Sequence, residues 1–188
     1  MTRSNLYVTL SDGEQVQCVA DSSSAPEQGF IVETLLLPLL SLNNSEKELA
    51  LLEKYCSMNE LRVNATYRYD LNLPKKRVFF AEEIYVPRFD TFHYGEVLND
   101  RYTAYLQQET PLETDIKQQF KHLSNEELIN RTNVLPDFKW DDEGVELQRR
   151  RRVSGCTFDY EMRGNTLIIL RDKRPNSKHK INHLNQQP

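Results

Sequence analysis

The sequence predicts an α+β fold: a mostly antiparallel sheet of about seven strands, built from hairpins and a C-terminal meander, with about four to five helices packed on one face. Three observations carry this expectation. Segments in which apolar and polar residues alternate come in adjacent pairs, separated by short turn signals. Leucine-rich stretches with helix-start signals lie between the pairs. The resulting order, ββ, αα, ββ, ααα, βββ, groups strands with strands, which favours antiparallel neighbours over crossover units.

Taken in order, Leu6–Leu10 and Gln15–Ala20 flank Asp12-Gly13, a type I′ hairpin signal. Ser24 and Glu27 have capping-box spacing, with Pro26 in the permitted first turn. Phe30–Leu42 reads as a leucine-rich helix interrupted at Pro38, with a buried strand as the alternative. Ser45 and Glu48 form a second capping box, opening a helix over Glu46–Ser57 with Leu49, Leu52 and Cys56 on one face. Val63, Ala65, Tyr67, Tyr69, Leu71 and Leu73 then alternate with polar residues as a half-buried strand does. Pro74-Lys75-Lys76 turns this strand back into Arg77–Val86, and the hairpin is expected at the centre of the sheet.

Pro87–Gly95 is expected to be an aromatic-rich loop carrying His93. Three short helices follow, opened by Asn99, by Thr110-Pro111 with Glu113, and by Ser124 with Glu127. Asn133–Gly144 reads as an irregular acidic loop with the single tryptophan. The last folded stretch, Val145–Arg171, reads as three antiparallel strands. Gly164-Asn165 sets one turn and pairs Met162 with Leu167 and Tyr160 with Ile169. Ser154-Gly155 sets the other, placing Arg150 opposite Asp159 in a cross-strand ion pair.

A chain of 188 residues is most simply one domain, here expected over residues 1–172. Residues 173–188 form a basic tail with almost no apolar content, expected to be disordered. The start lacks the apolar region of a signal peptide, and the longest apolar run, Phe30–Leu40, is too short to span a bilayer. Cys18, Cys56 and Cys156 are an odd, widely spaced set that fits buried thiols in a reducing compartment, so a soluble cytoplasmic protein is expected.

Charge is unevenly placed. Residues 1–148 hold 14 lysines and arginines against 25 acidic residues, a net −11, while residues 149–188 hold 10 against 3, a net +7. The basic half contains four consecutive arginines, Arg149, Arg150, Arg151 and Arg152, whose guanidinium forks suit phosphate or carboxylate. As a strand, this run lies beside Tyr160, and together the five residues are the candidate binding site.

Catalytic patterns are sparse. There is no GxSxG, no P-loop and no dinucleotide fingerprint, and only 6 glycines occur in the chain, so no cofactor is expected. Asp137, Asp141, Asp142 and Glu143 offer oxygen ligands of the kind a hard cation takes. Pro136-Asp137 with Glu146-x-Gln148 resembles a degenerate form of the metal-dependent PD-(D/E)xK nuclease pattern, in which two carboxylates hold Mg²⁺ and a lysine orients water. Gln148 stands at the lysine position. The leading expectation is a non-enzymatic binding protein acting through protein–protein interaction, with an acidic body and a basic C-terminal strand. The alternative is a nucleic-acid-binding accessory protein that uses Arg149–Arg152 and the tail to neutralise phosphates, and the nuclease is a distant third. No membrane partner is expected.

Overall fold

The structure is a computed structural model and describes residues 2–131, 142–154, 158–163 and 166–172. These fall into two compact units, residues 2–105 and 106–172.

The first unit is built on a six-stranded sheet. Its strands are β1 (Ser4–Thr9), β2 (Gln15–Ala20), β3 (Ser57–Met58), β4 (Tyr67–Asn72), β5 (Arg77–Val86) and β6 (Thr91–Val97), in the spatial order β3-β2-β1-β4-β5-β6. The α+β class is as expected, but the sheet is mixed. β1 pairs with β4 in parallel, Leu6 opposite Tyr69 and Val8 opposite Leu71, while the other neighbours are antiparallel. A chain that leaves β2, runs through helices and returns beside β1 can meet it in parallel. β6 also corrects the expected aromatic loop: only its first residues, Pro87–Asp90, form the turn of a hairpin.

Local chemistry explains the connections. The β1–β2 loop has three residues, Ser11 to Gly13, because Thr9 pairs with Gln15 and the Leu10 amide donates to Glu14 at 2.8 Å. Only Gly13 takes a positive φ there, +93°, which is the type I turn with a glycine bulge rather than type I′. Pro38 lacks an N–H, so the Thr34 carbonyl loses its α-helical donor. The helix accommodates this with a π turn over Val32–Leu36 before α1 (Leu37–Ser41) continues it. α2 (Ser45–Tyr55) is capped one residue earlier than expected, the Asn44 side chain accepting from the Lys47 amide at 2.9 Å. Glu48 is buried, accepting from the backbone amides of Asn44 and Ser11 at 3.2 and 2.8 Å, and so ties α2 to the first hairpin.

Register divides the sheet into two faces. One carries the rows Cys18–Leu6–Tyr69–Phe80 and Val16–Val8–Leu71–Val78. Its core residues are buried, and α3 (Asn99–Gln107) meets it through Arg101, whose guanidinium lies 5.2 Å from the Tyr67 ring and 5.9 Å from the Phe80 ring. The other face carries Gln17–Tyr7–Asp70–Phe79 and Gln15–Thr9–Asn72–Arg77.

The second unit contains α4 (Pro111–Phe120), α5 (Asn125–Arg131), α6 (Asp142–Ser154) and a separate hairpin, β7 (Phe158–Arg163) with β8 (Thr166–Asp172). The described residues thus hold six α-helices, against the four to five expected. Thr110 and Glu113 cap α4 reciprocally, at 3.2 and 2.7 Å, as their spacing predicts. Ser124 and Glu127 do the same for α5. The β7–β8 register matches the expected one, Met162 opposite Leu167 and Tyr160 opposite Ile169.

The expected strand over Val145–Val153 is instead part of α6, and with it the Arg150–Asp159 cross-strand pairing falls away. Asp142 and Glu143 sit in the first turn and Arg151 and Arg152 in the last, each favoured there by the helix dipole. Glu146 bonds both Arg149 and Arg150, at i+3 and i+4, an arrangement that a helix provides and a strand does not. Asp142 to Gly144, expected in the acidic loop, also belong to α6. The rest of that loop up to Asp141, the turn residues Gly155, Gly164 and Asn165, and the tail over 173–188 lie outside the described residues.

Candidate functional site

The second face of the large sheet carries a polar and aromatic constellation drawn from three of its strands. Arg68 on β4 lies over the ring of Tyr7 on β1, 3.9 Å from its centroid, and its Nε donates to both carboxylate oxygens of Asp70, at 3.1 and 2.9 Å. Tyr7 Oη donates in turn to Glu83 Oε2 at 3.1 Å. Burial and the neighbouring Glu83 push the Tyr7 hydroxyl pKa up, and burial raises the Glu83 carboxyl as well. Burial opposes the charge on Arg68, but the bonds to Asp70 outweigh it and hold the guanidinium firmly protonated.

Beside this cluster, towards the β1–β2 and β4–β5 turns, the face opens into a groove of about 730 Å³. Tyr7, Gln15, Gln17, Asn72, Arg77 and Phe79 line it, with Arg68, Asp70 and Lys75. At the other end the loop after β3 closes the face, Asn5 exchanging hydrogen bonds with the backbone of Arg62 at 3.1 and 2.8 Å.

The same face runs outward along β5 and β6. β4 pairs with β5 as far as Tyr67 opposite Glu82, and the Glu83 amide still donates to the Thr66 carbonyl at 3.2 Å, so only Ile84–Val86 pair with Thr91–His93 alone and project as a two-stranded arm. A bulge at its base sets Gly95 and Glu96 opposite Glu82. Gly95 fits there because a Cβ would lie 2.7 Å from Ile84 Cδ1 and 3.2 Å from Glu82 Cβ. Tyr94 meets Phe79 edge-on at 5.4 Å, and Tyr85 packs on Phe92 at 5.0 Å. Tyr85 Oη donates to Asp90 in the turn at 2.7 Å. Phe89 at the tip is 65% exposed, and Ile84, Tyr94 and Val97 are each exposed by 40% or more. The sequence signal for the arm was the density of aromatic residues around His93; what hid it was the lack of clean alternation.

The arginine run lies in the second unit and faces inward. Arg149 donates to both oxygens of Glu146, at 2.7 and 2.9 Å, and to Glu109 at 2.7 Å. Arg150 bonds Glu146 at 2.6 Å and the carbonyls of Leu123 and Phe120 at 2.8 and 2.9 Å, satisfying the open end of α4. Arg152 reaches Glu113 at 2.5 Å and the Gln108 carbonyl at 2.8 Å. Arg151, buried, donates to Gln148. Burial works against the Glu146 carboxylate, yet its bonds to Arg149 and Arg150 hold its pKa below the usual range. The Tyr160 side chain lies outside the described residues, as does Asp137 of the nuclease-like pattern.

Cys18 and Cys56 are free thiols, neighbours across the β2–β3 edge, where Cys18 pairs with Met58. A hydrogen bond to Cys18, with burial, pushes the Cys56 thiol pKa up, the opposite of an activated nucleophile. Among the described residues no group of His, Cys, Asp and Glu could hold a metal ion, and no helix is long and apolar enough to cross a membrane. Comparison with known proteins finds no match: no family model fits the chain, and neither a curated protein nor a solved structure resembles it.

Proposed function

We propose that this chain is a non-enzymatic binding protein that acts on another protein, and that the β5–β6 arm is its contact surface. The observation that carries the reading is the exposure of Phe89 at the tip of the β5–β6 ribbon, of Ile84 and Tyr94 on its two faces, and of Val97 at its base. Large apolar side chains held out together are favoured at interfaces and costly in water. The uneven charge, −11 over residues 1–148 and +7 over residues 149–188, adds a means of steering a charged partner.

Nucleic-acid binding through Arg149–Arg152 ranks second. The guanidinium groups of Arg149, Arg150 and Arg152 donate to carboxylates of their own unit, which leaves fewer donors for phosphate. The nuclease reading ranks last, since Glu146 already accepts from two arginines.

Affinity capture with cross-linking from the native host tests the proposal. Wild type is expected to retain a protein cross-linked within Thr91–Val97 or the turn before it. Phe89→Asp with Tyr94→Asp should lose that protein while keeping the wild-type circular dichroism. Equal capture by the variant, or cross-links elsewhere, would reject the arm as the contact surface.

A further inference from the structure

We propose that the free edge of β6 is a self-association site, at which a second copy of this chain adds its own β6 antiparallel about a two-fold axis through His93. β6 closes one side of the large sheet, and the strand at the other side, β3, is only two residues long. The Glu83 amide donates to Thr66, on the β4 side, at 3.2 Å. In an antiparallel ladder the N–H and C=O of one residue point the same way, and those of the next residue point the opposite way. Glu83 therefore turns its backbone away from Tyr94, the residue opposite it on β6, and Tyr85 turns away from Phe92. Phe92 and Tyr94 in turn direct their own N–H and C=O groups to the open edge, whereas those of Thr91 and His93 point in to β5. Sheet edges are commonly blunted by lysine, proline or inward-facing charge. Thr91–Tyr94 carries none of these.

The pattern is its own complement. With the axis at His93, Phe92 of each copy faces Tyr94 of the other as a hydrogen-bonded pair, so the outward backbone groups of both residues find partners reciprocally. The same register lays these two rings side by side on one face of the joined sheet, an aromatic cross-strand pair. The two His93 side chains, exposed in the single chain, meet on the other face. Charge is complementary along the join, because antiparallel pairing sets the tip of each arm beside the base of the other. At the tip, Arg88 lies over the Phe89 ring at 5.4 Å, and Asp90 accepts from Tyr85 Oη. At the base, Glu82 and Glu96 are both exposed, the Glu96 amide donating to Glu82 Oε2 at 3.3 Å. Neither carboxylate has an ion pair among the described residues. Each arm thus brings one guanidinium towards the carboxylates that the other leaves unpaired. So narrow a contact falls below the standard interface size, and the dimer is expected to be weak and reversible. It uses the backbone edge and leaves Phe89 and Ile84 to the protein partner proposed above.

Sedimentation equilibrium of the full chain tests this, with a dissociation constant on the order of 10–100 µM expected for a contact of this size. His93→Lys sets two like charges opposite one another at the axis. It should weaken the dimer at least about tenfold while the circular dichroism stays that of wild type. In a non-hydrogen-bonded antiparallel pair the two Cα atoms lie about 4.5 Å apart, within disulfide reach. His93→Cys should therefore cross-link to a dimer through that cysteine in a glutathione disulfide buffer, whereas Thr91→Cys should not cross-link through its own. Amide hydrogen exchange at Phe92 and Tyr94 should slow as the chain concentration rises. Phe89→Asp should associate as wild type does, which separates this contact from the surface that captures another protein. A mass that stays monomeric at about 1 mM, a His93→Lys variant that dimerises as wild type does, loss of the dimer in Phe89→Asp, or cross-linking at Thr91→Cys rather than His93→Cys would each overturn the proposal.

Discussion

Tyr7 and Glu83 meet across two strands of one sheet, the phenol donating to a carboxylate whose side chain is 1% exposed. Arg68 is the nearest cation to that carboxylate, at 3.9 Å, beyond hydrogen-bond reach. The phenol and the Asn5 side chain are therefore the neutral supports of this buried carboxylate.

Tyr7→Phe is expected to lower stability at neutral pH by about 1–2 kcal/mol, the effect of removing a donor from a buried acceptor. The sign of the pH dependence follows from burial, which raises the folded-state pKa of Glu83. Its contribution is greatest below the unfolded pKa and is lost as pH rises through the folded one. Glu83→Gln should therefore gain on wild type in urea unfolding as pH rises from about 4 to 7. A constant difference across that range would show that Glu83 does not titrate as described.

Glu146 behaves in the opposite sense. Its folded pKa is depressed by Arg149 and Arg150, so its contribution is present above the unfolded pKa and lost as pH falls through the folded one. Glu146→Ala leaves two guanidinium groups without a shared partner and should cost about 3–5 kcal/mol at pH near 7. Urea unfolding followed at the helical signal measures this, and a loss below about 1 kcal/mol would place the pair among weak surface bridges.

If the arginine run is internal, wild type should show no salt-steep binding to duplex or single-stranded DNA in fluorescence anisotropy. Arg150→Gln should then lower the melting temperature with no effect on that titration. Binding whose log–log salt slope falls by about 0.9 when Arg150 is replaced would return these arginines to phosphate recognition.

Gly29 takes φ +79°, and a Cβ there would lie 2.8 Å from Tyr105 Oη, which donates to Glu33 at 3.0 Å. Gly29→Ala should cost about 1–3 kcal/mol through both backbone strain and the clash. Adding Tyr105→Phe should recover part of the loss in a double-mutant cycle. Strict additivity would show that the two residues do not touch.

Where a few adjacent residues settle the conformation, the sequence by itself determined the result. Thr110, Pro111 and Glu113 complete a cap within one turn, Ser124 and Glu127 do the same, and the β7–β8 register follows from the hairpin on either side of residues 164–165. The helix over Phe30 to Ser41 and its disturbance near Pro38 were legible for the same reason.

The arginines were not. Val145, Leu147 and Val153 fall on alternate positions with the arginines between, so the segment fits a strand as readily as a helix. Arginine itself has little preference that burial cannot override. The partners that complete the arrangement, Glu109 and Glu113, lie some forty residues earlier in the chain. The same distance hid the β1–β4 pairing, where Leu6 meets Tyr69, and with it the face on which Tyr7, Arg68 and Glu83 converge. Turns and caps are decided by steric and hydrogen-bonding choices within four or five residues. Pairing of strands and of buried charges is decided by burial shared between distant segments, and that free energy exists only once the tertiary structure has brought them together.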